Sequence, residues 1–519
     1  MCAICEQFGV NIHDTGENNG GGGGDPQFAP TESFTIAQAA AHLNRSGASW
    51  EQDASGPILG APTTLTYGFR NSDASYRDAE EGAFGRFNPA QMATAVQALQ
   101  AWADVSNITW VARSGEGPGQ AYSNNATILF GNVQAGGGAS FGAYAYLPEN
   151  ASRGAGSHEG DVWVNSAIGA NTNPQMFEYG PMALLHELGH SLGFLHPGDY
   201  NAGQGNPSYD DADFIQDTVQ YTVMSYWGEE NTGADYNGFY PMAPQMIDIA
   251  AAQRLYGANM AFHTGDTTYG FNSTASRDWY EATAEQTPIF CAWDAGGEDT
   301  FDFSGYATKQ TIDLRNGFFS SVGDMKFNVS IAAPVKIDGV AVNMIENAIG
   351  GSFKDTIVGN NADNDLEGRD GDDYIGGNKG ADALTGGDGN DILGGGKGND
   401  IIIGGLGVDV LTGNKNFDTF LFQSLEDSTV GFEDTITKGL DRRDVIDLGA
   451  IDADTTTGGD QAFHLGGAAF DGEAGELIRS YHAGSNTTFI QGDVDGDGDA
   501  DFSLAVAGGD YTTFLNFVL

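Results

Sequence analysis

The stretch LLHELGHSLGFLHPGDY, Leu184 to Tyr200, carries the strongest chemical signal in the 519-residue chain. His186, Glu187, His190, Gly193 and His196 satisfy the spacing H-E-x-x-H-x-x-G-x-x-H. On a helix His186 and His190 stand one turn apart, so both imidazoles face the same side. Glu187 follows the first of them and projects toward a water in the same site. Gly193 lets the helix end and the chain turn, which brings His196 round as a third ligand. Three neutral imidazoles with an open fourth position form a catalytic rather than a structural zinc arrangement. Of nine histidines in the chain, three fall at these positions, and the other six read as ordinary surface or core residues.

A helix from about Pro181 to Leu195 must present these groups, with Pro181 in its first turn. FNPAQMATAVQALQAWADV, Phe87 to Val105, predicts another helix, and Pro244 to Tyr256 a further one. TIAQAAAHL, Thr35 to Leu43, reads as a short helix. LTYGF, ITWV, ATILFG and DVWVN, Asp161 to Asn165, read as strands. GASFGAYAYLP, Gly138 to Pro148, is either an edge strand that pairs with a substrate backbone or an ordinary sheet strand. Mixed helices and strands in this order predict an α/β catalytic domain over residues 61–265. Residues 1–60, with five glycines at Gly20 to Gly24, read as a propeptide and linker. Its processing point is expected between about Trp50 and Leu65.

Helical periodicity disappears after about residue 290, and residues 266–519 are expected to be all β. A nine-residue repeat runs in register for eight units over residues 350–421, from GGSFKDTIV to GNKNFDTFL. The sixth position holds Asp355, Asn364, Asp373, Asp382, Asp391, Asp400, Asp409 and Asp418; the eighth is always apolar, from Ile357 to Phe420. An apolar residue every ninth position excludes a disordered Gly/Asp tract. The pattern matches calcium-binding nonapeptide repeats that wind a parallel β-roll. Turn carbonyls and the seven aspartates, Asp355, Asp373, Asp382, Asp391, Asp400, Asp409 and Asp418, offer hard oxygen ligands to several structural Ca²⁺ ions. Phe353, Ala362 and Asn416 replace the fourth-position glycine, so the first two units and the last are expected to cap the stack.

Composition agrees. The chain has 21 Lys plus Arg, 71 Asp plus Glu, a formal net charge of −50 and 77 glycines. Such a charge disfavours nucleic acid and anionic membrane surfaces and suits a chain that binds many divalent cations. The three cysteines, Cys2, Cys5 and Cys291, cannot build a disulfide framework. The amino terminus has no basic and apolar leader of the general secretory type, and no apolar run is long enough to span a bilayer.

The extended histidine motif resembles that of the metzincin peptidases, and HPGDYN, His196 to Asn201, is similar to the serralysin branch. TVMSYW, Thr222 to Trp227, resembles the methionine turn beneath the metal, with Met224 the turn residue. IDIAAAQRLYGAN, Ile247 to Asn259, DAGGEDTFDFSGY, Asp294 to Tyr306, and IENAIGG, Ile345 to Gly351, resemble later parts of the family, so the likeness covers roughly residues 60 to 519. The resemblance implies a metzincin-like α/β domain followed by an RTX β-roll. It implies one catalytic zinc on His186, His190 and His196, with Glu187 as general base and Tyr226 as a switchable zinc ligand and oxyanion stabiliser. It implies a secreted, extracellular, monomeric endopeptidase acting on proteins and peptides. The terminal TTFLNFVL is a type I export signal by the resemblance, a last core strand by its residues, or both. A competing class is a non-enzymatic calcium-binding adhesin or surface protein with a vestigial protease domain. Three smaller features stay open at this level. Cys2 and Cys5 are either a zinc-capping thiolate pair or free thiols. DVDGDGDAD, Asp493 to Asp501, is a partial calcium site or an acidic turn, since Leu504 stands where an EF-hand needs glutamate. Cys291 reads as a small buried hydrophobe.

Overall fold

The computed structural model describes residues 32–519 except 78–81, 116–120, 135–140, 155, 202–206, 338, 438–439, 441 and 514–515. Cys2, Cys5 and the glycine run lie outside the described residues.

Helix α1, Ile36–Leu43, opens with a capping box in which Thr35 and Gln38 satisfy each other's backbone amides. Strand β1, Thr63–Phe69, is followed by helix α2, Pro89–Val105, with Asn88 as its cap and Pro89 at its first position. Strands β2, Ile108–Ala112, β3, Ile128–Gln134, β4, Ala143–Ala145, and β5, Val162–Asn165, complete a sheet ordered β2-β1-β3-β5-β4. Along that order all neighbours are parallel except β4, which runs antiparallel to β5 at the sheet edge; the short strand Ala83–Gly85 also pairs antiparallel with the end of β3. Helix α3, Tyr179–Ser191, stops four residues before the expected Leu195, and helix α4, Met246–Tyr256, starts two after the expected Pro244. β3 and β5 are buried on both faces, as a covered parallel sheet requires.

The expected boundary at residue 60 does not divide this unit. Ala39, Ala40, Leu43 and Trp50 belong to the same core as Trp102, Leu185 and Leu188. Trp50 Nε1 donates to the Ser191 carbonyl at 2.8 Å, and Asn44 Nδ2 donates to the Gly193 carbonyl at 2.9 Å. The apolar face of α1 thus packs on the core of the following residues, although the glycine run upstream suggests a separate segment.

From Thr268 onward the chain winds two sheets face to face, parallel throughout the repeats and antiparallel only where Glu476–His482, Thr487–Asp493 and Phe502–Ala507 close one of them, so an α/β domain is followed by a parallel β-roll. Successive repeats alternate between the sheets, and each strand pairs with the one eighteen residues on: Leu366 with Leu384 and then Ile402, Ile375 with Leu393 and then Leu411. The eighth-position side chains stack as a buried column. The irregular units do not cap the stack. Strands Thr300–Asp302 and Thr311–Asp313 extend it upstream, and Val445–Asp447, Phe502–Ala507 and Asn516–Val518 extend it downstream. Ends of a roll need only one apolar residue per strand, which non-repeat segments also supply. Leu393→Ala is expected to lower the stability of the calcium-loaded chain by about 2–5 kcal/mol, against about 0.5 kcal/mol or less for outward-facing Ile401→Ala. Urea unfolding followed by far-UV circular dichroism measures both.

Candidate metal centre and calcium ladder

Helix α3 is buried almost all round, so its histidines are presented from a rigid element. At Gly189 a Cβ would overlap the Met224 sulfur, so the helix packs directly on the TVMSYW turn. Past Ser191 the chain reverses at Gly193, φ +103°, where a Cβ would overlap the Ala48 carbonyl. This reversal delivers His196. Its Nε2 lies 3.2 Å from His186 Nε2 and 3.1 Å from His190 Nε2.

The second ring nitrogen of each histidine fixes its tautomer. His186 Nδ1 faces the Val223 carbonyl at 2.7 Å, His190 Nδ1 the Phe194 carbonyl at 2.7 Å and His196 Nδ1 the Tyr200 carbonyl at 2.8 Å. A carbonyl only accepts, so each Nδ1 carries the ring proton and each Nε2 presents a bare lone pair. Burial keeps the rings neutral, pushing His186 down to about 3 and His190 to about 4, with His196 lower still. Three converging lone pairs with no proton among them require a cation, and a borderline-soft divalent ion such as zinc fits that donor set.

Glu187 is 6% exposed, and its Oε2 has no hydrogen-bond partner. Burial pushes its carboxyl up to about 8. Tyr226 is 40% exposed, and its ring centre lies 4.3 Å from that of His196. Tyr200 stacks on His196, 5.3 Å between centres, lies 5.1 Å from the Tyr226 ring, and donates to Asp217 Oδ1 at 2.8 Å. Beside these groups opens a cleft of about 770 Å³, lined by Gly142 and Ala143 of the β4 edge, by Tyr179 and Glu187 of α3, and by residues between Gly228 and Tyr240. β4 is thus an edge strand at the cleft, although residues 138–140 of GASFGAYAYLP lie outside the described residues.

Two positioning residues escape sequence reasoning. Arg45 Nη1 donates to the His196 carbonyl at 2.7 Å, while its Nη2 reaches the Gly198 carbonyl and Asp199. Asp248 accepts from Thr222 Oγ1 at 2.5 Å and from the Val223 and Gln245 amides, each at 2.8 Å, pinning the methionine turn. Arg45 belongs to no motif, and Asp248, although it lies in IDIAAAQRLYGAN, reaches Thr222 and Val223 across a tertiary contact that no spacing announces.

In the roll, one carboxylate oxygen of each ladder aspartate accepts the amide of the aspartate one turn back. The Asp373 amide donates to Asp391, Asp391 to Asp409, Asp382 to Asp400 and Asp400 to Asp418, at 2.7 to 3.1 Å. The second oxygens of Asp373, Asp382, Asp391, Asp400, Asp409 and Asp434 are buried without a hydrogen bond. They lie where turn glycines leave room: a Cβ at Gly386 would overlap both Asp391 Oδ2 and the Gly404 carbonyl oxygen. Burial, with neighbouring carboxylates, pushes Asp373 up to about 8, Asp391 to about 7 and Asp434 to about 9. Asp355 differs, because both its oxygens accept hydrogen bonds, from Gln310 and Gly351. Asp434 lies outside the counted repeats. Its signal was the Asp-x-apolar triplet Asp434-Thr435-Ile436, displaced from the nine-residue register. In the DVDGDGDAD turn Asp493 accepts the amides of Gly496 and Gly498, and Asp501 that of Val494, so the turn is closed by its own backbone. Cys291 is buried in the strand Phe290–Ala292.

Residues 258–519 match the family model described as Peptidase M10 serralysin C terminal. Metalloprotease AprA of Pseudomonas entomophila (strain L48) is 43% identical over 484 residues, 92% of this chain and 89% of its own length. Serralysin C of Dickeya chrysanthemi is 46% identical over 329 residues, 63% of this chain and 64% of its own. Among solved structures, the AlgE6R3 subunit of a mannuronan C5-epimerase from Azotobacter vinelandii is 28% identical over 32% of this chain and 77% of its own, with a TM-score of 0.17, too low to carry an argument.

Proposed function

We propose that this chain, which belongs to the serralysin family of metalloproteases, is a secreted zinc endopeptidase whose zinc site is the three-imidazole cage, with Glu187 as general base and Tyr226 as oxyanion donor. The single observation that carries this assignment is the convergence of three unprotonated Nε2 atoms beside an unpartnered, buried Glu187 oxygen. One zinc bound there supplies Lewis-acid polarisation of the scissile carbonyl and eases deprotonation of the attacking water. Glu187 Oε2 accepts that proton and delivers it to the leaving nitrogen. The Tyr226 hydroxyl donates to the carbonyl oxygen as it gains negative charge. The β4 edge offers backbone groups to an extended substrate. No observation favours the non-enzymatic adhesin.

Several Ca²⁺ ions are assigned to the roll, between the free oxygens of Asp373, Asp382, Asp391, Asp400 and Asp409, with Asp418 in the same ladder and Asp434 extending it. Asp355 is left as a hydrogen-bonded end of that ladder. The catalytic domain is proposed to begin before α1 rather than at residue 61, which moves the processing point upstream of Trp50, and to meet the roll near residue 266. The working form is a monomer acting outside the cell. TTFLNFVL engages a type I export apparatus, with Asn516–Val518 serving also as a roll strand. Among the described residues no helix is long and apolar enough to cross a membrane.

Casein hydrolysis by the calcium-loaded chain, with bound zinc measured on the same sample, tests the reading. Activity that follows zinc content supports it, and a folded, zinc-loaded but inert chain lacking residues 1–31 overturns it. Tyr226→Phe is expected to lower kcat by about 10- to 100-fold with KM little changed, because the lost donor acts only on the developing charge. Steady-state kinetics on a fluorogenic peptide measures this.

A further inference from the structure

Glu229, Glu230 and Asp235 are among the residues that line the cleft, and no Lys or Arg stands among them. They are not equivalent. Glu229 Oε1 accepts the Tyr236 amide at 3.1 Å, and Asp235 Oδ1 the Asn237 amide at 3.0 Å, so both are partly committed to holding the loop. The Glu230 carboxylate makes no hydrogen bond or ion pair among the described residues. It folds back over Gly228, where a Cβ would overlap its Oε2. Only a glycine leaves room for that carboxylate on the wall.

The rest of the cleft supplies an apolar sleeve. Tyr179 and Tyr240 meet edge to face, 6.1 Å between ring centres, and Phe239 is 45% exposed beside them. Glu187, buried and with Oε2 unpartnered, opens into the same cavity. Long cationic side chains bury their methylene stems along such rings and bring their charge to carboxylates.

We infer that this cleft selects peptides with a lysine or arginine side chain next to the scissile bond, and that Glu230 is the specificity-determining residue. This deepens the peptidase reading above and rests on it. An acidic side chain beside Glu230 would meet a like charge with no Lys or Arg among the lining residues to offset it, so discrimination comes from repulsion as well as attraction.

The test uses the full, calcium- and zinc-loaded chain and matched fluorogenic peptides that differ only in carrying Lys or Glu beside the cleaved bond. The wild type is expected to favour the Lys peptide in kcat/KM by about tenfold or more. Glu230→Gln is expected to cut that ratio about three- to tenfold, and Glu230→Lys to reverse it. The ratio is internal to each sample, so partial misfolding does not change it. Glu473→Gln, on an exposed stretch of the roll, alters net charge equally and should leave the ratio alone. Cleavage with a ratio near one, or a ratio unmoved by Glu230→Gln, overturns the preference and spares the peptidase reading. So does a Glu473→Gln effect as large as that of Glu230→Gln, which would assign the preference to the field of the whole molecule. Failure of the wild type to cleave any peptide overturns both.

Discussion

Glu187→Gln is expected to lower kcat for peptide hydrolysis by about 10³- to 10⁴-fold while zinc stays bound at one ion per chain. The substitution keeps size and shape and removes only the capacity to take a proton. None of the three Nδ1 anchors involves Glu187, so the imidazole cage has no reason to open. The environment sharpens the prediction. Burial lifts this carboxyl toward about 8, which without an opposing charge would leave it protonated at neutral pH and useless as a base. A dication held by the neighbouring imidazoles opposes that shift. On this assignment zinc would serve twice, polarising the carbonyl and keeping Glu187 ionised. The check is a single-turnover assay beside elemental analysis; a variant that keeps zinc and more than about a tenth of wild-type kcat ends the general-base assignment.

The second large effect concerns calcium and its coupling to pH. Chelating calcium at pH 8 is expected to unfold the roll. The buried oxygens of the ladder then face one another without cations. The sign follows from the raised carboxyls: Asp373 about 8, Asp382 and Asp391 about 7, Asp400 and Asp409 about 6, Asp434 about 9, each lifted first by burial. A carboxyl whose folded value lies above its unfolded one binds its proton more tightly in the fold. Its support is full below the unfolded value near 4 and drains away as pH climbs to the folded value. The chelated roll should thus regain β structure near pH 5 and lose it between about 6 and 9. The calcium-loaded roll should do the reverse, because protonation expels the ions. All seven tryptophans lie at or before Trp293, ahead of the aspartate ladder, so tryptophan emission reports the chain upstream of the repeats, while loss of β dichroism in the far-UV follows the roll. A chelated chain that gains dichroism as pH rises from 5 to 9 would contradict this account.

The parts legible in sequence are those whose physics is local or periodic. His186, Glu187 and His190 share one helix, and Gly193 sits at the single sharp bend, so spacing alone placed them. The nine-residue period exposed the aspartate ladder. The period also misled: because the reading stopped where glycines stopped, Asp434 was missed and Phe353, Ala362 and Asn416 were taken for ends of the stack. Arg45 and Asp248 were invisible because they act through backbone carbonyls and amides that only the fold brings within reach. The contacts across the expected boundary near residue 60 were hidden for a related reason. A glycine run marks flexible chain, yet it says nothing about whether the next helix docks, and α1 docks by burying Ala39, Ala40 and Leu43.

The eighteen-residue pairing of the roll has a consequence for how such chains can change length. Duplicating or losing two adjacent repeats slides whole turns in or out and leaves every later strand on its own sheet. Losing a single repeat sends each downstream strand to the opposite sheet, so the closing segments Phe502–Ala507 and Asn516–Val518 would arrive on each other's side. Length change in this half of the molecule is therefore expected in pairs of repeats, since a nine-residue deletion costs the closing strands their own sheet and an eighteen-residue one leaves them in place.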